Sequence, residues 1–143
     1  MKVFVYFNLH KKVWSIKALE GPDRGRVIQH ADSVTLYDAR PRVSQAGRRR
    51  VIREQRKNVH AGIVGQLMES QWKTPERACK ITYNPYKYET FVYTHKTDLE
   101  YLHSNFARLT AEGRTVEVWN YDPEILYKMQ RDAVEGTWED ATC

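Results

Sequence analysis

Basic side chains crowd into one short stretch of the chain, residues 40–57. They are Arg40, Arg42, Arg48, Arg49, Arg50, Arg53, Arg56 and Lys57. With Glu54 as the single acid, the stretch carries 8 − 1 = +7, whereas the whole chain carries +5. Arginine dominates, and its planar guanidinium pairs with phosphate oxygens better than the point charge of lysine does. The stretch predicts an anion-binding face for a phosphate-bearing partner.

A second segment is rich in aromatic side chains, with five of them within eleven residues: Tyr83, Tyr86, Tyr88, Phe91 and Tyr93. Pairing of rings across a hairpin accounts for about half of them. In a strand that starts at Tyr88, however, Tyr88 faces opposite to Phe91, so some rings should be exposed. An exposed ring beside arginine can stack on a nucleobase, which contributes about 1–3 kcal/mol per base. Arginine, an aromatic ring and Asn84 together form a nucleotide-reading set.

Catalytic and metal-binding patterns are weak by comparison. The five histidines have no ligand spacing, and Cys79 lies in mid-strand where a small buried side chain is usual. The glycine-bearing segment 21–26, GPDRGR, matches neither a Walker loop nor a dinucleotide fingerprint, although Arg24 and Arg26 could present guanidinium groups from it. We therefore predict a binding protein rather than an enzyme, without a metal or a cofactor.

The order of strands and helices that the sequence predicts indicates an α+β fold. In this fold, an antiparallel sheet is built from hairpins, with two to three helices packed on it. Strands are predicted at residues 3–8, 13–18, 26–30, 33–38, 59–68, 78–83, 88–93 and 115–119, with Pro41 ending the first sheet segment. Helices are predicted at residues 45–57 after Ser44 as N-cap, at 97–113 and at 122–132. The helix at 97–113 rests on a capping box and on the spacing of Leu99, Leu102, Phe106 and Leu109.

Length and composition predict a single domain, residues 1–143, with about 120–143 as an acidic C-terminal extension that contains a short helix. The chain has 41% hydrophobic and 29% charged residues, which is typical of a folded soluble protein. Cys79 and Cys143 are far apart and favour reduced thiols. No signal peptide or membrane-spanning run is evident, so we expect no membrane partner and a place in the cytoplasm.

Four segments carry a family resemblance: MKVFVYFNLHKKVWSIKALEG, GRVIQHADSVTL, VSQAGRRRVIREQRKNVHAGIVG and ITYNPYKYETFV. Over most of the first 95 residues the chain resembles phage proteins of the Thoeris anti-defence 1 family. The resemblance implies a sponge that binds glycocyclic ADP-ribose signals in the infected bacterium without cleaving them. It also implies a homodimer, in some members a trimer of dimers, with a separate site for cyclic dinucleotides or trinucleotides.

The resemblance also implies roles for particular residues. The base-stacking ring would be Tyr86 or Tyr83, with Asn84 or Thr90 hydrogen-bonding nearby. The helix arginine for the same nucleotide would be Arg56 or Arg53, supplied across a dimer interface. For the second pocket, the implied residues are Arg26 and Arg114.

Two other classes of function remain open from the residues alone. A nucleic-acid-binding accessory protein could use residues 48–57 as a helix that contacts the phosphate backbone. A phosphodiesterase could destroy the same signal rather than store it. The arginine helix could also be a solvated face that balances the acidic tail.

Overall fold

In a computed structural model of the chain, residues 1–68, 78–94 and 105–120 are described. Within them, nine strands form one antiparallel sheet, and a single α-helix follows the fourth strand. The strands are β1 Lys2–Asn8, β2 Val13–Ala18, β3 Val27–Ala31, β4 Ser33–Val43, β5 Ala61–Leu67, β6 Cys79–Thr82, β7 Val92–Tyr93, β8 Asn105–Thr110 and β9 Thr115–Asn120, and the helix is α1 Gln45–Glu54. The mixture of sheet and helix confirms a broadly α+β fold, but the described residues contain one α-helix rather than two to three.

The order of strands in the sheet is β3-β2-β1-β5-β4-β8-β9-β6-β7. Alternation along the strands sends one set of side chains into the core, including Val3 and Val5 of β1 and Ile63 of β5, all at most 1% exposed. The other face of β1 carries the half-buried Phe4 and Tyr6. The first hairpin, β1 with β2, is confirmed with the predicted boundaries of β2.

The helix predicted at 97–113 is wrong where it can be examined, because Asn105–Thr110 is strand β8, paired with β4 on one side and β9 on the other. Phe106, Ala107 and Leu109 are all fully buried. A strand buried on both faces places apolar residues at helical as well as alternate spacing, which is why the pattern misled. The rest of that helix, residues 97–104, and the one predicted at 122–132 lie outside the described residues.

Three smaller predictions also need correction. Pro41 does not end the sheet segment, because β4 continues to Val43 and Pro41 pairs with Ile63 of β5. The pairing of β4 with β8 ends at Ala39, so the missing N–H of Pro41 disrupts no ladder on that side. The strand expected at 88–93 is limited to Val92–Tyr93. The expectation of reduced thiols is wrong for Cys79, which is disulfide-bonded.

Helix α1 begins as the sequence predicts. The side chain of Ser44 accepts a hydrogen bond from the N–H of Gly47 at 3.1 Å and caps the first turn. The helix ends at Glu54, three residues earlier than predicted, because Gln55 adopts a left-handed conformation with φ of 52°. Only Val51 of the helix is buried, so most of its arginines face solvent.

Candidate functional site

A cleft of about 550 Å³ opens where the second aromatic segment meets the start of β5 and the ends of β1 and α1. Four of the residues to which the resemblance assigns a role line it: Tyr83, Asn84, Tyr86 and Arg114. Its other lining residues are Tyr6, Phe7, Asn8, Leu9, Val51, Gln55, Lys57, Asn58, Val59, His60, Ala61 and Pro85. The volume suits a small organic ligand.

Tyr86 stands at the rim of the cleft with 58% of its surface exposed. Leu9 and Val59, exposed by 45% and 59%, also line the cleft. Exposed apolar surface gathered around a concave site is a common mark of ligand binding. The ring of Tyr86 therefore has a face available for stacking.

Tyr83 lies deeper and is fixed by His60. The main-chain oxygen and Oδ1 of Asn58 both lie 3.1 Å from Nδ1 of His60, and both are acceptors. This assigns the imidazole proton to Nδ1, so that Nε2 accepts from the Tyr83 hydroxyl at 2.7 Å. Burial raises the pKa of Tyr83 more than the positive charge of Arg48 lowers it. The phenol therefore stays protonated at neutral pH.

The loop that carries Tyr86 is tied to helix α1. Nε of Arg48 donates to the main-chain oxygens of Pro85 at 3.0 Å and Tyr88 at 2.9 Å. Nε2 of Gln45 donates to the main-chain oxygen of Glu89 at 2.7 Å. Within the loop, Oδ1 of Asn84 accepts from the N–H of Tyr86 at 2.9 Å. Arg48 thus uses its Nε to hold the loop.

Arg114 lies on the same cleft as the tyrosines, although the resemblance assigned it to a second pocket. It is the last residue of a short 3₁₀ turn, Glu112–Arg114, and has a φ of 50°. Its guanidinium carbon sits 5.1 Å from the centroid of the Phe7 ring. Desolvation by this packing lowers the pKa of Arg114, but an arginine stays charged at neutral pH, and its side chain still reaches solvent. The cleft therefore contains two cations, Arg114 and Lys57.

The remaining predicted residues lie elsewhere. Arg53 and Arg56 are exposed and do not line the cleft, and Arg53 has Glu54 at 3.9 Å. Thr90 is half-buried in the loop after the cleft-lining residues. Arg26 lies in the exposed turn before β3, where its N–H donates to the main-chain oxygen of Asp23.

Sequence reasoning missed His60 as a cleft residue, and it named Lys57 and Arg48 only as members of the basic stretch, not as a cleft residue and the tie to the loop. The histidine was considered only for metal spacing, and its pairing with Tyr83 spans 23 residues. Gly47 carried a usable signal: a Cβ there would lie 2.6 Å from the Cβ of His60, so the glycine allows α1 to approach β5.

Residues 1–68, 78–94 and 105–120 contain no cluster of three or more His, Cys, Asp or Glu side chains suited to a metal ion. In the same residues, no helix has the length and apolar character needed to cross a bilayer.

The chain belongs to the family of the Mycobacterium phage L5 gene 82 protein, whose family model matches residues 1–117. The gene 82 protein of Mycobacterium phage L5 is 44% identical over 119 residues, covering 79% of this chain and 93% of that protein. All residues that line the cleft fall inside the matched range. These matches support a phage origin. No solved structure matches the chain.

Proposed function

We propose that this phage protein binds a small nucleotide-type immune signal in its cleft and sequesters it without cleaving it. The observation that carries the proposal is the meeting of Tyr86, Tyr83, Lys57 and Arg114 around one cleft of about 550 Å³. An exposed ring can stack on a base while the two cations neutralise phosphates. Glycocyclic ADP-ribose, the signal of Thoeris immunity, has a base and two phosphates and is the first ligand to test.

The proposed sponge acts in the cytoplasm of the infected bacterium as a homodimer or a larger assembly. The exposure of Arg53 and Arg56, away from the cleft of their own protomer, supports their supply to the cleft of a partner. Closing a charged ligand between two subunits would exclude water and strengthen each contact between arginine and phosphate. Cyclic oligonucleotides are the second ligand class, for the same cleft or for a separate site that includes Arg26.

The test is calorimetry with purified glycocyclic ADP-ribose isomers and cyclic oligonucleotides, followed by heating of the complex and chromatography of the released ligand. A sponge binds tightly and returns the ligand intact. Recovery of a cleaved ligand would replace the proposal with a phosphodiesterase. Absence of binding to all of these ligands would contradict the proposal and favour the alternative, in which the exposed arginines of α1 bind nucleic acid.

Variants of the cleft locate the ligand. Tyr86→Ala removes the exposed ring and should lower affinity by the stacking term of about 1–3 kcal/mol, which is about fivefold to 150-fold. Tyr88→Ala is the matched control, because Tyr88 is an exposed ring of the same loop that does not line the cleft. Equal affinities of the two variants would show that the ligand lies elsewhere.

A further inference from the structure

A second basic groove lies on the face of the sheet opposite to the core. It has a volume of about 480 Å³. Its lining residues are Lys2, Asp38, Arg40, Pro41, Arg42, Val64, Gly65 and Gln66. Three cations thus meet one acid. In the described part of the chain, neither Arg40 nor Arg42 forms a salt bridge, and both are exposed.

The register of the strands shows that Arg40 and Val64 of the groove share one face with Phe4 and Lys17. Lys17 of β2 pairs with Phe4 of β1, Phe4 pairs with Val64 of β5, and Val64 pairs with Arg40 of β4. The row crosses four neighbouring strands, so the main chains of Lys17 and Arg40 lie three strand spacings apart, about 14 Å. The face therefore carries positive charge across its width and not at a single point.

Arg42 is held over the middle of this row. Its guanidinium carbon lies 5.9 Å from the centroid of the Phe4 ring. Gly62, its partner on β5, permits this arrangement, because a Cβ at Gly62 would lie 2.6 Å from the Phe4 ring. A guanidinium stacked on a ring keeps its N–H edge free for a phosphate. Phe4 and Gly62 thus present Arg42 to a ligand.

The shape of this surface favours a chain of phosphates over a single anion. Lys17 and the groove lie on either side of Phe4, with Arg42 above the ring between them. A ligand that contacts both sides must pass Arg42 and needs several phosphates. Beside the row, two residues after Phe4 on β1, the half-buried ring of Tyr6 lies 5.9 Å from that of Phe4 and offers a face to an unpaired base.

We propose that this outer face of the sheet binds single-stranded nucleic acid, with Lys2, Lys17, Arg40 and Arg42 on the phosphates. None of these four cations lines the cleft, although Tyr6 does. The proposal also differs from binding along α1, where Arg48 holds the loop carbonyls and Arg50 lies 3.2 Å from Glu54. On the sheet face, no ion pair within the described residues includes Lys2, Lys17, Arg40 or Arg42, and Asp38 is the one acid that lines their groove.

The experiment measures the affinity of the full chain for a labelled twelve-nucleotide oligothymidylate by fluorescence anisotropy, over a range of salt concentrations. Each phosphate contact on a single strand contributes about 0.7 to the slope of log affinity against log salt. Arg40→Gln/Arg42→Gln should therefore reduce the slope by about 1.4. Arg24→Gln/Arg49→Gln, which removes two exposed arginines elsewhere, should leave the slope unchanged.

Several results would overturn the proposal: no binding by the unaltered protein, an equal loss of slope in the Arg24/Arg49 control, or equally effective displacement by tripolyphosphate or polyglutamate. Circular dichroism checks that the variants fold. If Arg40→Gln/Arg42→Gln does not fold, Gln66→Glu adds a charge to the groove with little change in shape, and unchanged affinity would contradict the proposal. Tyr86→Ala should bind the oligonucleotide normally, which separates this site from the cleft.

Discussion

Gly47→Ala tests whether the approach of α1 to β5 positions the cleft. The added Cβ would lie 2.6 Å from the Cβ of His60, whereas ordinary contact begins at 3.4 Å, so the two elements must separate by 3.4 − 2.6 = 0.8 Å. If His60 moves directly away from Tyr83, their hydrogen bond lengthens from 2.7 to about 3.5 Å. If α1 moves, the bonds of Arg48 to the loop lengthen from 2.9–3.0 to about 3.7–3.8 Å. Either movement loosens a tie to the cleft.

The free energy of unfolding of Gly47→Ala distinguishes the effect of close approach from the effect of helix propensity. Alanine in place of glycine stabilises a helix by at most about 1 kcal/mol, whereas overpacking costs about 1–3 kcal/mol. We expect Gly47→Ala to be about 1 kcal/mol less stable than the unaltered protein in urea denaturation, with weaker binding of the nucleotide ligand. Ala46→Gly is the control, since it should lose stability through propensity while affinity is kept. A Gly47→Ala protein that gains about 1 kcal/mol and binds normally would refute the close-approach argument.

Three further predictions concern the same structure. Arg48→Lys lacks the guanidinium Nε that donates to two loop carbonyls. Affinity for the cleft ligand should fall about tenfold, which corresponds to the free energy of one hydrogen bond, while urea denaturation shows little change. Burial raises the pKa of Tyr83, so the protonated phenol stabilises the folded protein fully below pH 10, the ordinary tyrosine pKa, and this stabilisation is lost as pH rises through the folded pKa. Tyr83→Phe should therefore show a smaller loss of stability at alkaline pH, measured by denaturation curves at a series of pH values. Gly62→Ala should destabilise the protein by about 2–3 kcal/mol, because the new Cβ meets the main chain of β1 as well as the Phe4 ring, and thermal melting equal to that of the unaltered protein would exclude this crowding.

Local features of the chain were readable from the sequence. The hairpin of β1 and β2, the cap at Ser44 and the turn after Tyr83 each depend on residues close together in the chain. The chemical types were also readable: arginine, tyrosine and asparagine in adjacent segments predicted an anion and base site, and Tyr83, Asn84 and Tyr86 do line one cleft. Short-range sterics and hydrogen bonding determine such features, so a single sequence contains them.

Tertiary structure decided which of these residues meet. Asn105–Thr110 forms a strand because β4 and β9 pair with it on both sides, and helical spacing gives no sign of a partner as distant in the chain as β4. Arg114 lies on the cleft of Tyr86 because the turn after β8 packs it against Phe7, more than 100 residues away in the chain. The row from Lys17 to Arg40 exists only through the register of four strands. Such pairings depend on the burial of the whole sheet, which local propensity does not specify.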